Sequence, residues 1–335
     1  MAYILAADIG GTKTNIGIFD SKNLSGIPLV DETVLCKNYS DFNELLEDFL
    51  GGKKYPIEFA CFAAAGPVRG GRVHLTNIPW VLDENELKNF LDIQSVYVIN
   101  DLVALAYSIF ELAEKDAVTL HEGVPEKNGT IGLVAPGTGL GMAFLVWDGS
   151  KYIACPSEGG HASFSPDSDL EIQLLQYFKD NGHHVSIESL CSGPGIYSIY
   201  SFLKAKKGFE EPGWFKKLLG EAADPTPVIV DIALDPDISM PICTETLDLF
   251  VTILTGLVNN LSLTVMATGG IYIGGGIPVK IITFLQQVNF PAFFEKRANM
   301  STILESIPVK VVVNPKSSLH GAVRYAFSKL QVGCL

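Results

Sequence analysis

The chain is 335 residues long, 47% apolar and 18% charged, with a formal net charge of −13. That length suits two domains with a sizeable core in each. The acidic balance, with no Lys/Arg run longer than a pair, argues against nucleic acid as a partner. Six cysteines (Cys36, Cys61, Cys155, Cys191, Cys243, Cys334) lie scattered with no C-x-x-C pair, which predicts reduced thiols and a cytoplasmic address. The N-terminus shows no basic leader or cleavage-site pattern, and none is expected to be present. The most apolar segment, Leu249 to Val265, is interrupted by Gly256 and Asn259-Asn260 and reads as a buried helix rather than a membrane span, so no membrane partner is expected.

Along the chain, Ala2 to Asp20 reads as strand, glycine-rich turn and strand, which puts Asp8 and Thr12 at a hairpin tip. Phe42 to Leu50 has helical spacing, Glu58 to Ala65 is a continuous apolar strand stopped by Gly66-Pro67, and Val96 to Ile99 is a short buried strand. It ends at Asn100-Asp101, after which Leu102 to Leu112 reads as a helix. A second unit begins near residue 115, because Gly132 to Trp147 repeats the opening plan of apolar strand, Gly-Thr turn and apolar strand. Helices are expected from Leu170 and from Ile196, with a Pro/Asp-rich surface connection from Asp224 to Pro241 and a buried helix from Thr244 to Val265. Ile271 to Gly274 is a short strand, Pro278 begins a helix, and Leu319 to Leu330 forms an amphipathic helix that can pack back on the first half. Two copies of one plan imply two related α/β halves facing each other across a cleft.

Four glycine-centred stretches carry the chemistry: Asp8 to Thr14, Val134 to Gly139, Ser157 to His161 and Gly269 to Gly276. Backbone N–H groups in tight Gly/Thr turns can cradle an anion, so Gly10, Gly11, Thr12, Gly137, Thr138 and Gly139 suggest polyphosphate, although each taken alone could be a plain hairpin turn. Asp8 beside the first turn is placed to hold Mg²⁺ through water, since that ion keeps several waters and binds few carboxylates. Asp101 is the candidate base, kept ionised by helix N-terminal amides, and could equally be the N-cap of the helix that follows. Asn100 offers a donor and an acceptor to a sugar hydroxyl. Glu158, His161 and Glu188 form a polar set suited to a polyol. The glycines between Glu158 and His161 disfavour a helical metal pair, and no Cys/His cluster supplies further ligands, so no structural zinc is expected. His183-His184 read as exposed loop histidines. Gly275 and Gly276 can admit a flat adenine or ribose near the backbone.

These stretches, in this order, resemble the bacterial-type glucokinases of the hexokinase, actin and heat-shock ATPase superfamily over nearly the whole chain. Asp8 to Thr14 looks like that family's first phosphate motif, although Lys13 and Thr14 differ from the Asn-Ala type of some members. Pro136 to Gly139 looks like the second phosphate motif and Gly269 to Gly276 like the adenosine motif. The resemblance extends ATP contact to Lys13. It assigns the base role to Asp101 and hexose contact to Asn100, Asp101, Glu158, His161 and Glu188. Leu75 to Trp80 matches a further loop near the family's cleft. The related ROK sugar kinases carry a Cys-rich zinc motif after Glu-x-x-His, and Ala162 to Leu170 has no cysteine. The implied fold is two ribonuclease-H-like (actin-like ATPase) α/β domains flanking a cleft: a small domain, 1–113, completed by a C-terminal helix, 316–335, and a large one, 114–315. A homodimer is implied as well.

The expected activity is ATP-dependent phosphorylation of glucose at its 6-hydroxyl. The alternatives are a kinase for another hexose or an N-acetylhexosamine, a sugar-sensing regulator without turnover, and an actin-like filament-forming ATPase.

Overall fold

The computed structural model describes residues 3–22, 27–76, 78–180, 182, 184–288, 290, 294 and 298–330. Ala2, Asn77, His183, Cys334 and the end of the expected C-terminal helix, 331–335, lie outside the described residues. The chain divides into two compact units, Met1–Asp116 with Asn314–Leu335, and Ala117–Val313.

The first unit is built on a five-stranded sheet of β1 (Tyr3–Ile9), β2 (Lys13–Asp20), β3 (Val30–Leu35), β4 (Ile57–Ala64) and β7 (Ser95–Asn100), in the order β3-β2-β1-β4-β7. The first three run antiparallel and β1, β4 and β7 parallel. Two short strands, β5 (Arg72–His74) and β6 (Val81–Asp83), pair separately. Continuous apolar runs bury both faces of the parallel strands, as a covered sheet requires. Leu5, Ala7, Phe62 and Val98 face a core closed by the helix Phe42–Leu50, whose N-cap Asp41 accepts from the Glu44 amide. Ile4, Ala6, Cys61 and Ala63 face the other core, closed by the helix Ser317–Leu330 through Leu319, Ala322, Val323 and Ala326.

The second unit repeats the plan with β8 (Ala117–His121), β9 (Ile131–Pro136), β10 (Leu140–Trp147), β11 (Tyr152–Ser157), β12 (Gly270–Ile273) and β13 (Val309–Val312), in the order β11-β10-β9-β12-β13-β8. β9, β10 and β11 again run antiparallel and β9, β12 and β13 parallel, with β8 added antiparallel at the edge. The repetition legible in the sequence is therefore one of topology, in which a hairpin leads into a parallel sheet whose carboxyl ends gather loops.

The apolar segment expected as a buried helix runs Pro241–Thr264 and supplies Leu247, Phe250, Leu254 and Val258 to the core of the second unit. It is long and apolar enough to cross a membrane by composition, and two-thirds of its most apolar window is buried within the protein.

Three expectations are corrected. The stretch from Asp224 to Pro241 is not a bare surface connection, because Thr226–Leu234 is a helix that buries Ile229, Val230 and Ile232. Its β-branched residues are poor helix formers, and burial against the long helix overrides that preference. The helix expected from Leu102 to Leu112 begins at Asp101, stops at Ser108 and continues as a 3₁₀ turn, Ile109–Glu111. The helix expected from Pro278 starts at Gly276, so the proline is its third residue, still within the turn whose N–H groups lack helical partners.

Candidate functional site

In the first unit the strand register brings the acidic residues to one sheet edge. Asp8 pairs with Ala63 on β4, Ala63 with Ile99 on β7, and Ala64 with Asn100, so Asp8 and Asn100-Asp101 stand at the carboxyl ends of parallel strands with only small side chains between. Carboxyl ends of parallel strands are where α/β sheets bind ligands. Asp8 is half-buried and receives the Asn15 amide at 3.4 Å, a bond made possible by the hairpin register that sets Asn15 opposite it. Burial first, and then the negative charge of Asp101, push the Asp8 carboxyl up to about 7.

Asp101 is the first residue of its helix rather than the cap. The cap is Asn100, whose Oδ1 accepts from the Leu102 amide at 2.9 Å and whose Nδ2 donates to the Gly66 carbonyl at 3.1 Å. The same Leu102 amide also donates to Asp101 Oδ1 at 2.9 Å. The helix amides expected to keep Asp101 ionised do lower its carboxyl pKa. Burial outweighs them and raises it to about 6, with the Leu102 and Asp101 amides and Asn100 pulling in the opposite direction.

The first glycine turn is closed by the Gly10 amide donating to Lys13 O at 3.0 Å, with Thr12 and Lys13 exposed at its tip. Beneath it lies Cys36, which the sequence did not single out: its amide donates to Thr12 O at 3.0 Å and its thiol approaches Gly10 O and Thr14 Oγ1 at 3.4 Å. A cavity of about 330 Å³ opens beside Gly11 and Thr12, with Cys36, Tyr39, Ile78, Pro79 and Trp80 in its wall. The Leu75-to-Trp80 loop thus lines the first turn, as far as it is described.

In the second unit the Pro136-to-Gly139 turn joins β9 to β10, and the adenosine-like glycines lie against it. The Gly274 amide donates to Val134 O at 2.8 Å, and a side chain on Gly275, which has φ +89°, would collide with Pro136 O. Gly193, at the head of the helix Gly193–Lys207, donates to Gly137 O at 2.8 Å. None of Gly10, Gly11, Gly137, Gly139 and Gly276 has a left-handed backbone, so the turns do not need glycine for its φ range. A β-carbon at Gly137 or Gly276 would meet nothing within 4 Å. Nothing in the fold demands glycine at those two positions, and the bare backbone leaves room for a ligand.

Glu158, His161 and Glu188 come together although Glu188 lies far along the chain. His161 Nδ1 is 3.6 Å from Glu188 Oε1 and His161 Nε2 is 3.9 Å from Glu158 Oε2. A single 3₁₀ turn, Gly159–His161, produces the Glu158–His161 spacing, with the His161 amide donating to Glu158 O at 3.0 Å. Glu188 is held from two sides: its backbone amide donates to Gly160 O at 2.9 Å and its Oε2 accepts from the Leu140 amide at 2.8 Å. A lone glutamate in a loop is ordinarily solvated, and only the fold reveals that this one rests on the second glycine turn. His184 is exposed, as its loop setting predicts. Among the described residues there is no group of three or more His, Cys, Asp and Glu side chains arranged to hold a metal, and the five described cysteines are free thiols.

A family profile described as Glucokinase matches residues 5–329. A glucokinase of Nostoc punctiforme is 36% identical over 336 residues, which covers 96% of this chain and 98% of the relative. A glucokinase of Helicobacter pylori is 36% identical, covering 95% of this chain and 94% of the relative. Among solved structures, a glucokinase from an Antarctic psychrotroph superposes with a TM-score of 0.85 at 29% identity, over 97% of this chain and 99% of that one. The glucokinase of Balamuthia mandrillaris in complex with glucose, at 21% identity and a TM-score of 0.77 over 97% of this chain and 93% of that one, shares the fold.

Proposed function

The chain belongs to the glucokinase family, and on that premise we propose that it transfers the γ-phosphoryl group of ATP to the 6-hydroxyl of glucose, yielding glucose 6-phosphate and ADP. The observation that carries the mechanism is the half-buried Asp101 carboxyl, raised to about 6 at the carboxyl edge of β7. A base with a pKa just below the working pH is ionised there, yet still takes up a proton as the hydroxyl attacks. Asn100 presents the remaining hydrogen of its amide to the sugar while its helix-capping bond keeps Asp101 in place. Glu158, His161 and Glu188 bind the ring hydroxyls, the carboxylates accepting and the imidazole donating or accepting. Gly11, Thr12 and Lys13 in the first unit, and Thr138 and Gly139 in the second, donate to the phosphates from turns closed by the Gly10 and Gly137 amides, and Gly275 and Gly276 leave room for adenosine.

A divalent cation fits beside Asp8. Burial and the charge of Asp101 make the ionised carboxylate costly, and a cation relieves both. We assign Mg²⁺ to that position through its waters; when bound it neutralises charge on the transferring phosphates. Asn15 orients the carboxylate toward this task.

We also propose a cytoplasmic homodimer. Free thiols suit a reducing compartment, and Ile172, Tyr197, Trp214 and Leu218 expose apolar area on helices of the second unit that a second copy can cover.

The deciding experiment couples ADP release to a panel of glucose, mannose, fructose and N-acetylglucosamine, with the product phosphate located by ³¹P NMR. The reading requires glucose to give the highest kcat/KM, with phosphate on carbon 6. Preference for another sugar reassigns the substrate, and hexose binding without ADP formation sinks the kinase reading.

A further inference from the structure

We propose that Gly139, which by its motif belongs to the phosphate turn, is a positioning residue for the hexose: its missing side chain is the space in which the Glu188 carboxylate stands. The proposal rests on the reading of Glu188 as a hexose ligand. A β-carbon at position 139 would fall 2.7 Å from Glu188 Oε2 and 3.4 Å from its carboxyl carbon. No left-handed backbone explains a glycine there. Two residues away, Gly137 differs, since a β-carbon on it would meet nothing. The two glycines of one turn therefore have separate reasons: room above the turn at 137, and room for a carboxylate at 139.

As a side-chain tip the carboxylate can rotate away, but only by giving up its seat. One oxygen accepts from the Leu140 amide at 2.8 Å, immediately after Gly139, and the other lies 3.6 Å from His161 Nδ1. The Glu188 backbone is tied to Gly160 O at 2.9 Å, and Gly160 is itself pressed against the Leu140 carbonyl, so it cannot carry a side chain. Gly139 and Leu140 thus form a bare backbone shelf on which Glu188, and through it His161, is seated. Any side chain at 139 pushes Oε2 off the Leu140 amide and turns Oε1 away from His161.

The test is Gly139→Ala, with Glu188→Ala and the double variant, measured for glucose affinity by calorimetry without nucleotide and for the KM of glucose and of ATP. Gly139→Ala weakens glucose binding about tenfold or more, the loss of one hydrogen bond to a charged group, and leaves the ATP KM within about twofold. In the Glu188→Ala background the same substitution adds almost nothing, because the obstructed carboxylate is gone. A rise confined to the ATP KM overturns the proposal, as does an equal penalty in both backgrounds. If Gly139→Ala alone does not fold, the double variant must regain a cooperative thermal transition, and failure to do so also overturns it. Unchanged glucose affinity in Glu188→Ala would instead remove the hexose reading of Glu188, and the proposal with it. That result is distinguishable, because the double-variant comparison is then flat in affinity and not merely additive.

Discussion

The β-carbon that any residue but glycine would carry at position 321 falls 2.5 Å from the carbonyl carbon of Ala104 and nearer still to its oxygen. Gly321 lies on the helix Ser317–Leu330 and Ala104 on the helix that Asp101 opens, one turn beyond it. The obstacle is backbone, which cannot rotate away as a side-chain tip can. Gly321→Ala must therefore push the Asp101 helix along the sheet. We expect a loss of about 1–3 kcal/mol of stability from overpacking, read by urea denaturation, and a fall in kcat larger than any change in either KM. Wild-type kcat in a folded Gly321→Ala protein would show that the catalytic helix tolerates the shift.

Asp101 makes the activity depend on pH in a defined direction. The base works ionised, so at saturating Mg²⁺, which keeps Asp8 ionised, kcat/KM rises with pH through about 6 and levels above it. Asp101→Asn lowers kcat by about 10²–10⁴-fold and removes that limb while hexose binding survives. An acid limb that persists in the variant belongs to another group.

The same shift predicts a stability change of opposite sense. A carboxyl whose folded pKa exceeds its unfolded value holds its proton more tightly when folded, so it weakens the fold above about pH 6, and the penalty fades as pH falls toward 4. Asp101→Asn therefore stabilises the unliganded enzyme at pH 8 by roughly 1 kcal/mol, allowing for the partial exposure of the group. The gain shrinks on acidification. Thermal melts at pH 8 and pH 5 check the sign, and a variant less stable than wild type at both contradicts it.

Asp8→Asn keeps the shape and the Asn15 neighbour but removes the charge. Activity then needs a higher Mg²⁺ concentration and reaches a lower maximum, by about tenfold or more, with the glucose KM little changed. An identical Mg²⁺ titration curve would separate Asp8 from the metal.

His161→Ala and Glu158→Gln probe the sugar set from its exposed side. Each raises the glucose KM by about tenfold, the scale of one hydrogen bond to a charged group, with the ATP KM steady. Equal change in both constants would point to a distorted second glycine turn instead.

Read alone, the sequence determined a great deal. The glycine turns, the strands that flank them, the helix from Phe42, the acidic residue at a strand end and the repeat of one plan are local features, and hydrophobic period and turn chemistry are written in consecutive residues. Whatever depends on distant parts of the chain was decided by the tertiary structure. The helix amides that favour ionised Asp101 are local and legible in the sequence, whereas the burial that raises its carboxyl to about 6 comes from the packing around it. Asn100 rather than Asp101 caps the helix because the Gly66 carbonyl, from another strand's end, fixes its amide. The helix Thr226–Leu234 forms against its own propensities because its apolar face is covered. Gly139 and Gly321 are required by a carboxylate and a carbonyl far away in sequence. Desolvation and steric exclusion are sums over whatever the fold brings near, so neither can be read from neighbours along the chain.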